Sequence, residues 1–232
     1  MAKEERAVCK LDLVDGVGLT EGRVHEVQGH AALGIALAAA SATSGLVFWA
    51  GGAGDTFALR ARGLAHYFDV ARLVTVQTAN RRETLWAMEK ALRCAGAGLV
   101  VAHVGLGPDL FESRRLQVAA QTGGALGLVI VGRRAQASAA QSRWQCEPAG
   151  QTAGQDASWR WRMTKNRSGQ LREWGVRCER PPDACLPPDL RSKPVTLNTT
   201  SSTHDTDPVF ATLSAAPLRV VSSACARPLA PA

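Results

Sequence analysis

Apolar positions along the first two thirds of the chain alternate between two periods. Short runs of β-branched and apolar residues at Arg23–Val27 (RVHEV), Leu46–Ala50 (LVFWA), Leu73–Gln77 (LVTVQ), Leu99–Val104 (LVVAHV) and Leu128–Val131 (LVIV) read as strands. Between them lie helical runs. His30–Thr43 is rich in Ala and Leu. In Asn80–Ala95, Leu85, Met88 and Leu92 recur at i, i+3 and i+7 and form an inward stripe. Asn80 with Glu83, and Asp109 with Glu112, carry capping-box spacing ahead of this helix and of the helix Leu110–Thr122. Gly123 and Gly124 stop the latter. Continuous apolar strands separated by helices predict an α/β fold with a mostly parallel sheet covered on both faces.

Beyond residue 138 the period changes. Ser142–Glu147, Ser158–Thr164 and Glu173–Glu179 read as short strands, with a turn at Asn166–Gly169 between the last two. They predict an antiparallel meander over 139–180 at the sheet edge. Residues 1–21 read as a lead-in and 22–180 as the core. Residues 191–232 lose all periodicity, and 17 of those 42 positions are Ser, Thr or Pro. That composition predicts a disordered tail over 181–232.

Composition adds a local charge. The formal net charge is +7, and the segment Arg143–Arg180 contributes +4 of it, with 8 Lys/Arg against 4 acids. A basic surface suits nucleic acid or an acidic partner, and a merely solvated basic face is its bland counterpart. Arg114, Arg115, Arg143, Arg160, Arg162, Arg167 and Arg172 are the candidates for such a surface, with Arg133 and Arg134 a further pair. The order Trp159-Arg160-Trp161-Arg162 places both Trp on one strand face and both Arg on the other. That pattern favours buried Trp over Trp stacked on bases. The six cysteines show no zinc-like spacing, no signal segment opens the chain, and no run of apolar residues suffices for a membrane span. A cytoplasmic setting without membrane contact is the expectation.

Five segments carry a resemblance to a known family. They are Gly22–Gly29 (GRVHEVQG), Thr84–Arg93 (TLWAMEKALR), Ser113–Gln121 (SRRLQVAAQ), Ala139–Trp144 (AAQSRW) and Trp159–Gly175 (WRWRMTKNRSGQLREWG). In their order and spacing they resemble the ImuA family of RecA-like and SulA-like accessory proteins, over residues 11–180. The resemblance implies a RecA-like sheet and a role in SOS-induced, error-prone translesion synthesis. It also implies ImuB and an error-prone DNA polymerase as partners, with RecA as a further candidate and direct DNA contact open. A SulA-like inhibitor of cell division that binds FtsZ is the alternative.

The chemistry of a RecA-like ATPase is missing. A phosphate loop needs G-x-x-x-x-G-K-[ST], the Lys for the β/γ-phosphates and the hydroxyl for Mg²⁺. After Gly29 the chain reads HAALGIALAAAS, so Gly34 is followed by Ile35 and Ala36, and no Lys or Arg lies between Arg23 and Arg60. Gly29 and Gly34 therefore read as the remains of a loop. The strand Leu99–Val104 offers Ala102 and His103 where a metal-orienting carboxylate is expected, and WAGGAGD offers only Asp55 in place of a catalytic Glu. No catalytic residue, cofactor or metal is predicted. His25 is expected to alternate out of its strand, His30 to begin a helix, and His103 to be structural, with no acid partner in view.

Overall fold

The computed structural model describes residues 10–14, 17–57, 59, 61–65, 67–135, 137–149, 157–167 and 169–178. The predicted tail 181–232 lies outside them. A two-stranded antiparallel hairpin, β1 (Lys10–Val14) and β2 (Val17–Thr20), occupies the expected lead-in. Then come β3 (Val24–Gln28), α1 (Ala32–Ala42), β4 (Leu46–Gly51), α2 (Ala53–Phe57) and α3 (Ala61–Leu64). A 3-10 turn at Val70–Arg72 leads into β5 (Leu73–Gln77), α4 (Arg81–Leu92), β6 (Ala97–Leu106), α5 (Leu110–Gly123) and β7 (Leu126–Arg133). The chain continues through β8 (Ser142–Pro148), β9 (Ala157–Asn166) and β10 (Glu173–Cys178).

The eight-stranded sheet has the order β10-β9-β8-β3-β7-β6-β4-β5. All pairings from β5 through to β8 are parallel, so β8 joins β3 in parallel and only β8-β9-β10 form the antiparallel meander. The fold is thus α/β, with a mostly parallel sheet flanked by helices and antiparallel strands at the C-terminal end.

Strands buried on both faces explain the uninterrupted apolar runs. Along β6, Leu99 and Val101 point to the side that carries α1, while Val100, Ala102 and Val104 point to the side that carries α4 and α5. Helix α1 is buried from Gly34 to Ala40, and its small residues let it lie close to the sheet. Helices α4 and α5 are amphipathic: Met88, Leu92, Leu116, Ala119 and Ala120 face inward.

The helix starts follow their sequence signals. Asp109 Oδ1 accepts from the N–H of Phe111 and of Glu112, both at 2.8 Å. Glu112 Oε2 accepts from the Asp109 N–H at 2.9 Å and closes the capping box. Gly124 ends the helix at φ 84°. Asn80 accepts from the Glu83 N–H, but the Glu83 carboxylate reaches one residue further back, to the Ala79 N–H at 3.0 Å. Asp109→Ala is expected to cost about 1 kcal/mol, because two amides lose their acceptor. Urea denaturation checks this, with the midpoint falling at unchanged slope.

Candidate functional site

Open α/β sheets place ligands beyond the carboxyl ends of their parallel strands. At that edge lie the β3–α1 turn, the Gly51–Asp55 segment and His103. The β3–α1 turn begins at Gly29, whose φ of +107° suits glycine. A Cβ there would overlap the Cys146 carbonyl of β8. The amides that a phosphate cradle would leave open already have acceptors in the fold. Ala31 N–H donates to Cys146 O, Ala32 N–H to Gly29 O and Gly34 N–H to Ala31 O, each at 3.0 Å. Gly34 lies under the Trp159 indole of β9, and a Cβ at Gly34 would stand 2.9 Å from that ring. Gly29 and Gly34 are thus needed for close packing of β8 and β9. His30 is exposed in the turn before α1 rather than in its first residue, with Nδ1 3.4 Å from Glu147.

His103 does have an acid partner. Its Nδ1 lies 2.5 Å from Asp55 Oδ1, and Asp55 Oδ2 accepts from the Gly52 N–H at 3.1 Å. The two residues belong to different strand ends, β6 and the segment after β4, and parallel pairing of β4 with β6 brings them together. An aspartate that orients an imidazole is one element of general-base chemistry. Among the described residues no hydroxyl or thiol bonds His103, and none of them form a group of three or more His, Cys, Asp or Glu fit to hold a metal. At the start of α4, Arg81 bridges Glu112 at the start of α5, with Nη1 at 2.9 Å and Nη2 at 2.5 Å. The Arg81 guanidinium holds the Glu112 carboxyl below its ordinary range, and the same contact pushes Arg81 up. Arg81 also donates to the carbonyls of Leu106 and Gly107, which fixes the end of β6.

His25 does not turn outward. It is 2% exposed, because β3 is an inner strand covered on both faces. Its Nδ1 bonds the Ser142 hydroxyl at 2.6 Å, and Nε2 meets the Thr20 backbone at 3.2 Å. Trp144 Nε1–H donates to the same Ser142 oxygen at 2.7 Å. Burial pushes the imidazole down to about 4.

The basic residues divide between several surroundings. Arg143 lies against Glu26, with Nε 2.9 Å from Oε2, and Glu26 is 1% exposed within β3. Arg160 and Arg162 both reach Glu173 across the β9–β10 pairing, at 3.3 and 2.7 Å. They project from the side opposite the buried Trp159 and Trp161. Those two Trp are core residues, as the alternation predicted. Arg115 pairs with Glu89 at 2.5 Å on the outer surface of α4 and α5, where Arg114 is also exposed. Arg167 is exposed near the β9–β10 turn. Arg172 lines a polar cavity of about 220 Å³ with His25, Ser142 and Gln170, on the α1 side of the sheet. The seven candidate arginines therefore do not form one surface. The ion pairs that organise them were not evident from spacing, since each joins distant segments. A lone acid in the strand run VHEVQ was the available signal for Glu26.

No family model matches the chain. Protein ImuA of Caulobacter vibrioides is 33% identical over 147 residues, which covers 56% of this chain and 59% of that protein. The chain resembles ImuA. The same match, at the same identity and coverage, is found in a second strain of that organism. The chain spans about three fifths of the length of the ImuA proteins it matches. This agrees with the resemblance to ImuA carried by the five sequence segments. Among the described residues, no helix is long and apolar enough to cross a membrane.

Proposed function

We propose that this chain is a non-catalytic accessory protein of error-prone translesion DNA synthesis, built on a degenerate RecA-like core. Similarity to ImuA supports the pathway. The closed β3–α1 turn supports the absence of catalysis, and it is the observation that carries the reading. A triphosphate needs free backbone N–H groups and a lysine. Here the Ala31, Ala32 and Gly34 amides donate within the fold, Trp159 lies over Gly34, and Ile35 and Ala36 stand where Lys and Ser/Thr would be. A RecA-like shape of this kind would act by holding partners: ImuB, an error-prone polymerase and, as a further candidate, RecA. Exposed Arg114, Arg167 and Arg172 are the cations best placed to meet DNA phosphate or acidic protein, with Arg115, Arg160 and Arg162 exposed beside their Glu partners. Arg143, engaged with Glu26, is better suited to holding β8 against β3.

Co-purification of the full chain with ImuB tests the adaptor role. Stable association supports it. Association with FtsZ in its place would transfer the assignment to a SulA-like division inhibitor. A thermal melt with millimolar Mg·ATP tests the closed turn. No rise in Tm is expected, because the turn amides already donate within the fold, whereas a ligand that bound the folded state at 100 times its Kd would add about 2.7 kcal/mol. ATP hydrolysis stimulated by single-stranded DNA would overturn the non-catalytic reading.

A further inference from the structure

We propose that the outer face of α4 and α5 docks an acidic, amphipathic segment of a partner protein. Of the six large apolar side chains exposed among the described residues, five lie on or beside these two helices. Trp86 on α4 is 58% exposed, and on α5 Phe111 is 77% and Val118 53% exposed. Phe111 and Val118 stand at i and i+7, so they share one helix face. Scattered single apolar residues on a surface are ordinary, but exposed Trp and Phe on two helices packed side by side are residue types enriched at binding surfaces.

The face also has relief. A concavity of about 290 Å³ lies between the helices, walled by Trp86 and reaching Leu85 and Leu116. A second, of about 540 Å³, opens on the other flank of α5, between Phe111 and Arg114 on one side and Ala135 and Ala137 on the other. Two concavities beside exposed aromatic side chains fit the helix-in-groove mode, in which anchors recur every three or four residues.

Charge decides the kind of partner. The acids here are already engaged: Glu89 is held by Arg93 and Arg115, and Glu112 by Arg81. Lys90 lies over the Trp86 ring at 5.6 Å. Arg82 and Arg114, each lining one of the two concavities, have no acidic partner among the described residues. An occupant with carboxylates around an apolar stripe would meet both the aromatics and these two cations. A second copy would set like charges against each other across a two-fold axis. A phosphate backbone would meet the two cations but leave the exposed Phe111 and Val118 without an apolar contact. The inference is independent of the translesion reading.

Fluorescence anisotropy on the full chain tests it. The probe is a labelled, synthetic 20-residue amphipathic helix with Leu and Phe on one face and Glu on the other. A control peptide carries Lys in place of Glu. The Glu-faced peptide is expected to bind, and the double variant W86A/F111A to weaken it by at least about tenfold. The charge-reversed R82E/R114E is expected to lose the Glu-faced peptide and gain the Lys-faced one, which also decides the matter should W86A/F111A melt early. Failure of the wild-type chain to bind, or equal binding of both peptides, would overturn the proposal. So would sedimentation that shows a dimer abolished by W86A/F111A, since the occupant is then a second copy. Displacement of the peptide by single-stranded DNA, with DNA binding equally lost in R82E/R114E, would assign the face to nucleic acid.

Discussion

Glu26→Ala is expected to destabilise the fold by about 3–5 kcal/mol, the typical cost of removing one partner from a buried ion pair. The Glu26 carboxylate sits within the sheet, accepting from Arg143 Nε and from the Ser138 hydroxyl. Two more cations stand close by. Arg134 donates to the Trp144 carbonyl at 2.6 Å, and Lys165 donates to the Ser138 carbonyl at 2.7 Å. Burial pushes both downward, and repulsion from Arg143 adds to it, while Glu26 acts in the opposite direction on each. Removing the carboxylate therefore leaves three cations crowded around β8 without their counter-charge. Replacing the pair together, as E26M/R143M, is expected to cost less than the single change, because Arg143 is no longer left unpaired between β3 and β8 and its repulsion of Arg134 and Lys165 is removed with it. Guanidinium denaturation of both variants measures this. If E26A falls within about 1 kcal/mol of the wild type, this ion pair is not what ties β8 to β3.

The second large effect is acid lability through His25. Its imidazole is pushed down to about 4 by burial, against an ordinary value of 6.5. Above pH 6.5 the residue is neutral in both folded and unfolded chains, so it contributes no pH dependence. As pH falls from 6.5 toward 4, the unfolded chain takes up a proton that the folded chain refuses. Stability is then lost progressively, by about 3 kcal/mol at pH 4, since each pH unit over which only the unfolded chain is protonated costs about 1.4 kcal/mol. Below about 4 the folded state also takes the proton and the loss levels off. Protonation would charge a ring packed between the Thr20 backbone and Ser142, so the β1–β2 hairpin should loosen first. Urea titrations of wild type and His25→Gln at a series of pH values test the account. The variant is expected to be weaker at pH 7, where it loses the hydrogen bond to Ser142. The gap should then shrink by about 3 kcal/mol on reaching pH 4. Parallel profiles for the two proteins would refute it.

Much of the fold was legible because its elements declare themselves locally. Strand β5 runs over the predicted Leu73–Gln77, and α5 starts at Leu110 behind Asp109, as the capping signal required. The β1–β2 hairpin was not legible. Its strands are only five and four residues long, so the alternation in Lys10-Leu11-Asp12-Leu13 is too short to stand out. The parallel entry of β8 was equally hidden, since a strand's own residues do not state which neighbour it will join. At the candidate site, the loss of the phosphate-loop Lys and hydroxyl could be read directly at Ile35 and Ala36. The Asp55–His103 pair could not, because it depends on β4 lying beside β6.

The sequence by itself determined the types of the elements, the burial of Trp159 and Trp161 opposite Arg160 and Arg162, and the missing cation after Gly34. These are local properties, set by the two- and 3.6-residue periods of strand and helix and by the identity of single residues. Only the tertiary structure decided that Trp159 would cover Gly34, that Arg143 would meet Glu26, that the basic residues would part into separate surfaces, and that Trp86 and Phe111 would remain exposed on neighbouring helices. Each of these depends on the strand order, which brings distant segments together through packing across the whole sheet and which no local pattern encodes.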